Sequence, residues 1–265
     1  MRGPCEKYHD HVASIYDDIY KRSPYWEFYY ALSWNHMKEY LPRDLAVEVH
    51  DVGCGTGVFG LKLLKAGFRV LFSDLSTRML EVTRRKVSDA GYQDRAEFLK
   101  LDMADMGGIS DGRFGFLSAQ GDPLSLCKDP RKAMSEVART LAPGGVAVLS
   151  VDNRVSGYEH YLEKSALKGL LEFHKSGVLT WLAERKEERF PFRAFHPTEI
   201  RKMAAAARLE VVSMIGKTIL PLRKHPGLLE DKRAFRELLR IEQKLSSTES
   251  NLGRASHLQV VLRKS

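Results

Sequence analysis

The sequence predicts an α/β fold: a mostly parallel sheet whose strands alternate with helices, extended by helical additions. Three observations carry that prediction. The first is Val47-Glu48-Val49-His50-Asp51-Val52-Gly53-Cys54-Gly55-Thr56-Gly57-Val58-Phe59-Gly60. This β-branched run breaks into glycines and resumes as a helical pattern with Leu61, Leu63, Leu64 and Phe68, giving strand, tight turn and helix. Glycine adopts backbone angles that a Cβ forbids, and it lets the chain close on a ligand. The second is a series of short apolar runs, Val70–Ser73, Ala96–Lys100, Phe114–Ala119 and Val146–Val151, separated by helical stretches. The third is helix punctuation. Asp129-Pro130 starts a helix with Ala133, Met134, Val137, Ala138 and Leu141 inside, and Leu141-Ala142-Pro143-Gly144-Gly145 stops it.

The glycine run admits two readings. Gly55 to Gly60 is formally a G-x-G-x-x-G, and Asp74 lies near the roughly 20-residue offset of a ribose-binding acid, as in nicotinamide or flavin enzymes. The register argues otherwise. A dinucleotide turn places its first glycine directly after the strand, and here the strand meets Gly53. The block Asp51-Val52-Gly53-Cys54-Gly55-Thr56-Gly57 resembles the first motif of class I S-adenosylmethionine-dependent methyltransferases, in their small-molecule, type 11/25-like branch. Asp74-Leu75-Ser76-Thr77-Arg78-Met79-Leu80 resembles that family's second-strand motif, D-x-S-x-x-M-L. The resemblance covers residues 45–152 and 196–265 but not the N-terminal segment or two insertions at about 154–195 and 218–254.

That resemblance implies a Rossmann-like seven-stranded sheet of order 3-2-1-4-5-7-6 with the last strand antiparallel. S-adenosyl-L-methionine is the implied cofactor, and no metal site is expected. The cofactor would lie on Gly53, Cys54, Gly55 and Gly57, with its methionine end near Asp51. Asp74, at a strand end, can accept both ribose hydroxyls; its alternative role, a helix cap, suits Ser76 better. Asp102 would accept the adenine amino group, the backbone of Met103 would serve the ring, and Leu75 and Met103 would flank it. Ala119 ends the fourth strand, where the family's methyl group sits. Beyond it, Asp122 is a candidate substrate contact or general base, although Asp before Pro is also a common turn. His196, before Pro197, is a second candidate, with a helix start as its alternative reading.

Residues 1–44 are expected to form a helical cap over a methyltransferase domain at 45–265. Ile15 and Ile19, and Tyr16 and Tyr20, sit at i,i+4, so a short helix with an aromatic face is expected. Ser23-Pro24 then starts a second helix running to Tyr40. Tyr16 and Tyr20 either pack on the sheet or cover the cofactor as a lid. The first insertion should be helical around Tyr158–His174, with an apolar cluster at Val178, Leu179, Trp181 and Leu182. A segment of that length at the ligand end of a sheet commonly builds a substrate pocket. The second insertion should carry a helix with Phe235, Leu238, Leu239, Ile241 and Leu245 on its apolar face.

Composition bounds the partners. The chain has 265 residues and net charge +8, with 43% hydrophobic and 29% charged residues, an ordinary globular balance. Residues 45–152 balance 14 Lys and Arg with 14 Asp and Glu, whereas residues 153–265 carry 22 against 13. Such a surplus serves nucleic acid or an anionic surface, or is a solvated face. Glu184-Arg185-Lys186-Glu187-Glu188-Arg189 interleaves the signs and favours the solvated face. Cys5, Cys54 and Cys127 are too scattered for a disulfide framework or a C-x-x-C knuckle. No apolar run reaches the roughly 18 residues of a membrane span, and no signal-peptide core is seen. The expected location is cytoplasmic.

The resulting expectation is a methyltransferase acting on a small molecule, roofed by residues 8–41, 154–195 and 218–254. The sulfonium already activates the leaving group, so positioning and exclusion of water can suffice. The alternatives are an RNA methyltransferase using the basic half, a non-catalytic cofactor-binding protein and, more remotely, an oxidoreductase. Specific nucleic-acid binding is not expected, and oligomeric state is not legible.

Overall fold

A computed structural model describes residues 3–265; the first two residues of the expected cap lie outside it. Three helices, α1 (Pro4–Val12), α2 (Tyr16–Lys21) and α3 (Pro24–Lys38), precede β1 (Glu48–Val52). Then follow α4 (Val58–Lys65), β2 (Arg69–Asp74), α5 (Thr77–Asp89), β3 (Ala96–Lys100) and β4 (Phe114–Ala119). A single turn, α6 (Pro123–Leu126), leads to α7 (Pro130–Thr140) and β5 (Leu141–Asp152). The first insertion holds α8 (Arg154–Glu163), α9 (Leu167–Ser176), β6 (Val178–Trp181) and β7 (Phe190–Arg193). The chain closes with α10 (Pro197–Ala206), β8 (Leu209–Lys217), α11 (Gly227–Glu230), α12 (Lys232–Ser246) and β9 (His257–Lys264).

Seven strands form one sheet in the order β3-β2-β1-β4-β5-β9-β8. The first five pair in parallel, while β9 runs antiparallel to both β5 and β8. This is the expected order once the two strands of the separate hairpin are set aside. Alternation of side chains splits the core in two. Val52, Leu71, Leu117, Leu149 and Val260 face α7 and α10, and Val49, Val70, Phe72, Val148 and Val261 face α3, α4 and α5.

Several boundaries depart from the sequence expectation. The Val178–Trp181 cluster is a strand, paired antiparallel with Phe190–Arg193 as a two-stranded sheet of its own. Trp181 stacks on Phe190 and packs edge-on to Phe192, which favours an extended pair over a helix face. On α12 the inward residue is Glu242, not Ile241, which is 48% exposed. Glu242 accepts the backbone N–H groups of Ile219 and Leu220 at 2.6 and 3.1 Å, closing the turn after β8. A buried carboxylate thus holds a loop that apolar side chains could not satisfy.

The expected second helix is α3, beginning after Ser23 with Pro24 in its first turn. Tyr25, Phe28, Tyr29 and Leu32 are buried, and Phe28 packs edge-on against Phe235 of α12 at 5.4 Å. The amide of Gln259 on β9 donates to the Ser33 carbonyl. The helix is therefore continuous with the core.

Candidate active site

The carboxyl ends of the parallel strands share one rim, and the glycine turn after β1 forms its middle. Gly53, Gly55 and Gly57 have φ of +62°, +54° and +82°, angles at which a side chain is strained. A Cβ added at Gly53 would lie 2.7 Å from Pro123, so the turn after β1 abuts the turn after β4. A Cβ at Gly55 would meet nothing within 4 Å. The turn thus offers bare backbone to open space.

Asp74 is joined to that turn. Its carboxylate accepts the Gly55 N–H at 2.8 Å and the Ser76 N–H at 2.8 Å. Ser76 takes the cap role, accepting the Met79 N–H at the start of α5. Burial raises the Asp74 pKa, against His9 and the two N–H bonds. A carboxylate has about four acceptor sites, so lone pairs remain for a diol. The Leu101 N–H donates to the Asp74 carbonyl, bringing the loop that carries Asp102 beside it. Asp102 is exposed and accepts the Ala104 N–H of its own turn at 2.9 Å. Leu75 is half-buried between these acids, whereas Met103 and Ala119 are buried in the core behind the rim.

Asp51 lies beneath the turn. It is 2% exposed, and its Oδ2 accepts the Gly60 N–H at 2.9 Å. Burial pushes its pKa up to about 7, against the Ser118 hydroxyl and the Gly60 N–H. Its visible work is to fix the start of α4. Cys54 is half-buried, and its thiol pKa is raised by burial and by the charges of Asp74 and Asp51.

The N-terminal helices bond to residues of the rim. In α1, Asp10 accepts the Ser76 hydroxyl at 2.6 Å and the Arg78 N–H at 3.2 Å. Glu6 takes the ammonium of Lys100, at the end of β3, at 2.6 Å. Tyr8 packs edge-on against Trp181 of the hairpin, and His11 meets Glu188 at 3.0 Å. The Cys5 thiol is pushed up to about 12 by burial and by the nearby charges of Asp74 and Asp102. In α2, Asp17 accepts the Thr56 hydroxyl at 2.5 Å and the Lys86 ammonium at 2.5 Å. Tyr16 and Tyr20 lie with ring centroids 4.6 Å apart and hydroxyls at 3.4 Å; Tyr20 continues edge-on onto Trp26.

A second cluster sits at the same rim, two strands further along. Asp122 follows β4, Asp152 ends β5, His257 begins β9 and Lys217 ends β8. Nδ1 of His257 lies 2.8 Å from Asp122 Oδ2 and 3.7 Å from Asp152 Oδ1, charge contacts not aligned as hydrogen bonds. Lys217 donates to the Tyr29 hydroxyl at 2.7 Å and to the Ser33 hydroxyl at 3.2 Å; Tyr29 in turn donates to Asp122 Oδ1 at 3.4 Å. Burial raises the Asp122 pKa, but His257, Lys217 and the Ser150 hydroxyl outweigh it and hold it below the ordinary range. Burial and the Asp122 charge push Asp152 the other way. Burial brings Lys217 down to about 8, opposed by both acids. These groups include two carboxylates and an imidazole with donor atoms within 4.8 Å of one another.

Of this cluster the sequence singled out only Asp122. Its carboxylate does not cap α6, so the turn accounts for its position but not for its contacts. The other members stand 30 to 135 positions later and meet only through strand pairing, Asp152 and Lys217 each opposite His257. A signal was present: His257 and Lys217 are ionisable residues that begin and end strands whose centres are mostly apolar. His196, the other candidate, is the N-cap of α10, and its N–H donates to Glu199 at 2.9 Å. It is not part of the cluster.

A methyltransferase-domain family matches residues 49–145, the stretch from β1 to β5 that carries the glycine turn, Asp74 and Asp102. A Bacillus subtilis (strain 168) protein named as a methyltransferase, YqeM, is 31% identical over 142 residues, 52% of this chain and 53% of its own. The ubiquinone biosynthesis O-methyltransferase of Psychrobacter cryohalolentis is 27% identical, across 69% of this chain and 67% of its own. A solved SAM-dependent methyltransferase from Methanosarcina mazei superposes with TM-score 0.61 at 19% identity, covering 86% of this chain and 96% of that one. The chain thus spans about half the length of the Bacillus relative. In its fold, its glycine turn and the acids at its rim, the chain is similar to class I S-adenosylmethionine-dependent methyltransferases, the family match covering residues 49–145. No helix among the described residues is long and apolar enough to cross a membrane.

Proposed function

We propose that the protein transfers a methyl group from S-adenosylmethionine to a small molecule held under α1, α2 and the first insertion. The observation that supports it is the single rim on which the open Gly55 turn, Asp74 and Asp102 stand together. When bound, the cofactor supplies an electrophilic methyl group on a sulfonium. Asp74 would hold the ribose diol, Asp102 and Leu75 the base, and the Gly53–Gly57 backbone the chain between base and sulfur. The turn at Gly53 touches the turn at Pro123, so Asp122 would stand beside the sulfur end. Tyr16, Tyr20 and Trp26 would close the roof and keep water out. The names of relatives such as the ubiquinone biosynthesis O-methyltransferase favour oxygen as the acceptor atom.

Transfer to RNA is the competing activity, raised by the basic surplus. Many of those cations are already paired: Arg185 with Glu188, Arg193 with Glu199, Arg201 with Glu249 and Arg240 with Glu237. Exposed pairs of this kind describe a mixed surface and not a phosphate track. Calorimetry should show binding of S-adenosylmethionine and S-adenosylhomocysteine and none of NAD. Radiolabelled methyl should pass to small hydroxylated acceptors, with only weak, salt-erased association with tRNA. Specific labelling of RNA would reverse the ranking, and absence of cofactor binding would end the proposal.

A further inference from the structure

We propose that His257 is the catalytic base for an acidic hydroxyl acceptor, a phenol or enol, with Asp122 positioning the imidazole and Lys217 steadying the oxyanion. The inference rests on the methyl-transfer reading above and names the acceptor chemistry of that same site.

Position comes first. Asp122, Asp152, His257 and Lys217 come from four neighbouring strands and converge on the rim that carries the cofactor turn. They lie beyond the Gly53–Pro123 contact from Asp74, where the sulfur end of the cofactor would lie on the reading above. Backbone strain comes second. Asp122 has φ 65° and ψ 38°, the left-handed region that few non-glycine residues adopt. Its N–H donates to the Ser150 hydroxyl at 3.0 Å, which helps to hold the turn. The strained backbone delivers a buried carboxylate to His257 and not to the helix that follows. Third, burying several ionisable groups together is a poor way to gain stability, since apolar residues of similar volume commonly do as well or better. Groups of that kind at a ligand rim point to chemistry.

The balance of the step fits. The acceptor's O–H proton passes to Nε2 of His257, the nitrogen not turned towards the acids. The oxygen's electron pair then forms the C–O bond as the S–CH3 bond breaks. The sulfonium becomes the neutral thioether of S-adenosylhomocysteine, and the imidazolium is held by Asp122 until solvent takes its proton. The ammonium of Lys217 favours an acceptor that gains negative charge over an amine, which would become a second cation. The charged and titratable groups facing the imidazole are Asp122, Asp152, Lys217 and Tyr29, whose ring lies 5.0 Å away. Tyr20 of α2 feels both acids and Arg223 from above.

The test uses 4-nitrocatechol, whose absorbance reports its ionisation, bound to the whole protein loaded with S-adenosylhomocysteine. The bound phenol should ionise about one pKa unit or more below the free phenol, a tenfold change in its equilibrium. His257→Gln and Lys217→Met should each abolish the shift while calorimetry shows S-adenosylhomocysteine still bound. In the wild type, the 13C shift of His257 Cε1 should move to its protonated position as the probe ionises. With any acceptor that turns over, His257→Gln should lower kcat by about 10²-fold or more, and Asp122→Asn should move the pH profile. The proposal fails if the probe binds without a shift, if the shift survives in His257→Gln, or if the probe does not bind at millimolar concentration to loaded protein. It fails too if activity requires added Mg2+. Loss of S-adenosylhomocysteine binding in the wild type would instead remove the methyltransferase reading beneath it.

Discussion

Asp17→Ala tests whether α1 and α2 act as a lid, because Asp17 is the point at which α2 is tied to the cofactor turn. Its carboxylate holds the Thr56 hydroxyl and the Lys86 ammonium, each at 2.5 Å. A hydrogen bond to a charged group contributes about 1.5–3 kcal/mol, and a partly exposed ion pair adds about 0.2–1 kcal/mol. The side chains of Asp17 and Lys86 are 25% and 29% exposed, so the lower part of that range applies. A loss of about 2 kcal/mol would raise the open population of the two helices roughly 30-fold. The bonds outweigh burial and hold the Asp17 pKa below its usual value. With the folded pKa depressed, the tie is complete above the unfolded value of about 3.9 and is lost as pH falls through the folded one. Neutral pH is therefore the right condition. Hydrogen exchange should speed up across residues 4–21 and remain unchanged in β1, β4 and β5. Bound S-adenosylhomocysteine should restore part of the protection. Equal exchange in variant and wild type, or an increase spread evenly over the sheet, would show that α1 and α2 belong to the core.

Three further outcomes follow from the same geometry. Asp74→Ala should weaken cofactor binding by about 1.5–3 kcal/mol in calorimetry, and unchanged affinity would remove Asp74 from the ribose. Gly60→Ala should lower stability despite a helix-propensity gain of about 1 kcal/mol, because its Cβ would sit 2.0 Å from the buried Phe72 ring and 2.8 Å from Asp51 Oδ2. Overpacking costs about 1–3 kcal/mol, so thermal unfolding should move down by a few degrees, and Phe72→Leu should relieve it in the double variant. The third concerns Asp51, whose raised pKa means that the native state binds the extra proton between about 4 and about 7. Stability from this group is full below the unfolded value and lost as pH rises through about 7. Asp51→Asn should flatten that slope in urea titrations at stepped pH, and an unaltered slope would place the titration elsewhere.

What could be read from the sequence was whatever local chemistry decides. The glycine turn, the Ser76 cap, the Asp129 cap and the strand ends rest on interactions within a few residues, and each was legible. The sheet order came from resemblance, since pairing between strands a hundred residues apart leaves no mark in one chain. The hairpin at 178–193 was missed because four apolar residues carry too little periodicity to distinguish strand from helix. Ile241 was misplaced because Glu242 faces inward for the sake of two backbone N–H groups on another loop. His257 and Lys217 escaped for the same reason: each is meaningful only beside partners that the sheet supplies.

The cover over the cofactor rim uses the chemistry that the cofactor itself would use. Asp10 takes the Ser76 hydroxyl and Arg78 N–H, Glu6 takes Lys100, and Cys5 feels Asp74 and Asp102. Those are the surroundings in which the ribose and base would find their partners. On the proposed function, bound S-adenosylmethionine would compete with α1 for that rim, while Asp17 would keep its hold on Thr56 and Lys86. The two helices would then divide the work, α1 making room for the adenosine and α2, with Tyr16 and Tyr20, staying over the methyl end, so that the protection regained with S-adenosylhomocysteine is expected in residues 16–21. Such a division would let the cofactor enter from the side of β2 and β3 while the cluster beneath Tyr20 remains dry. The buried α3 would stay fixed meanwhile, since Tyr29 joins Lys217 to Asp122 across the cluster.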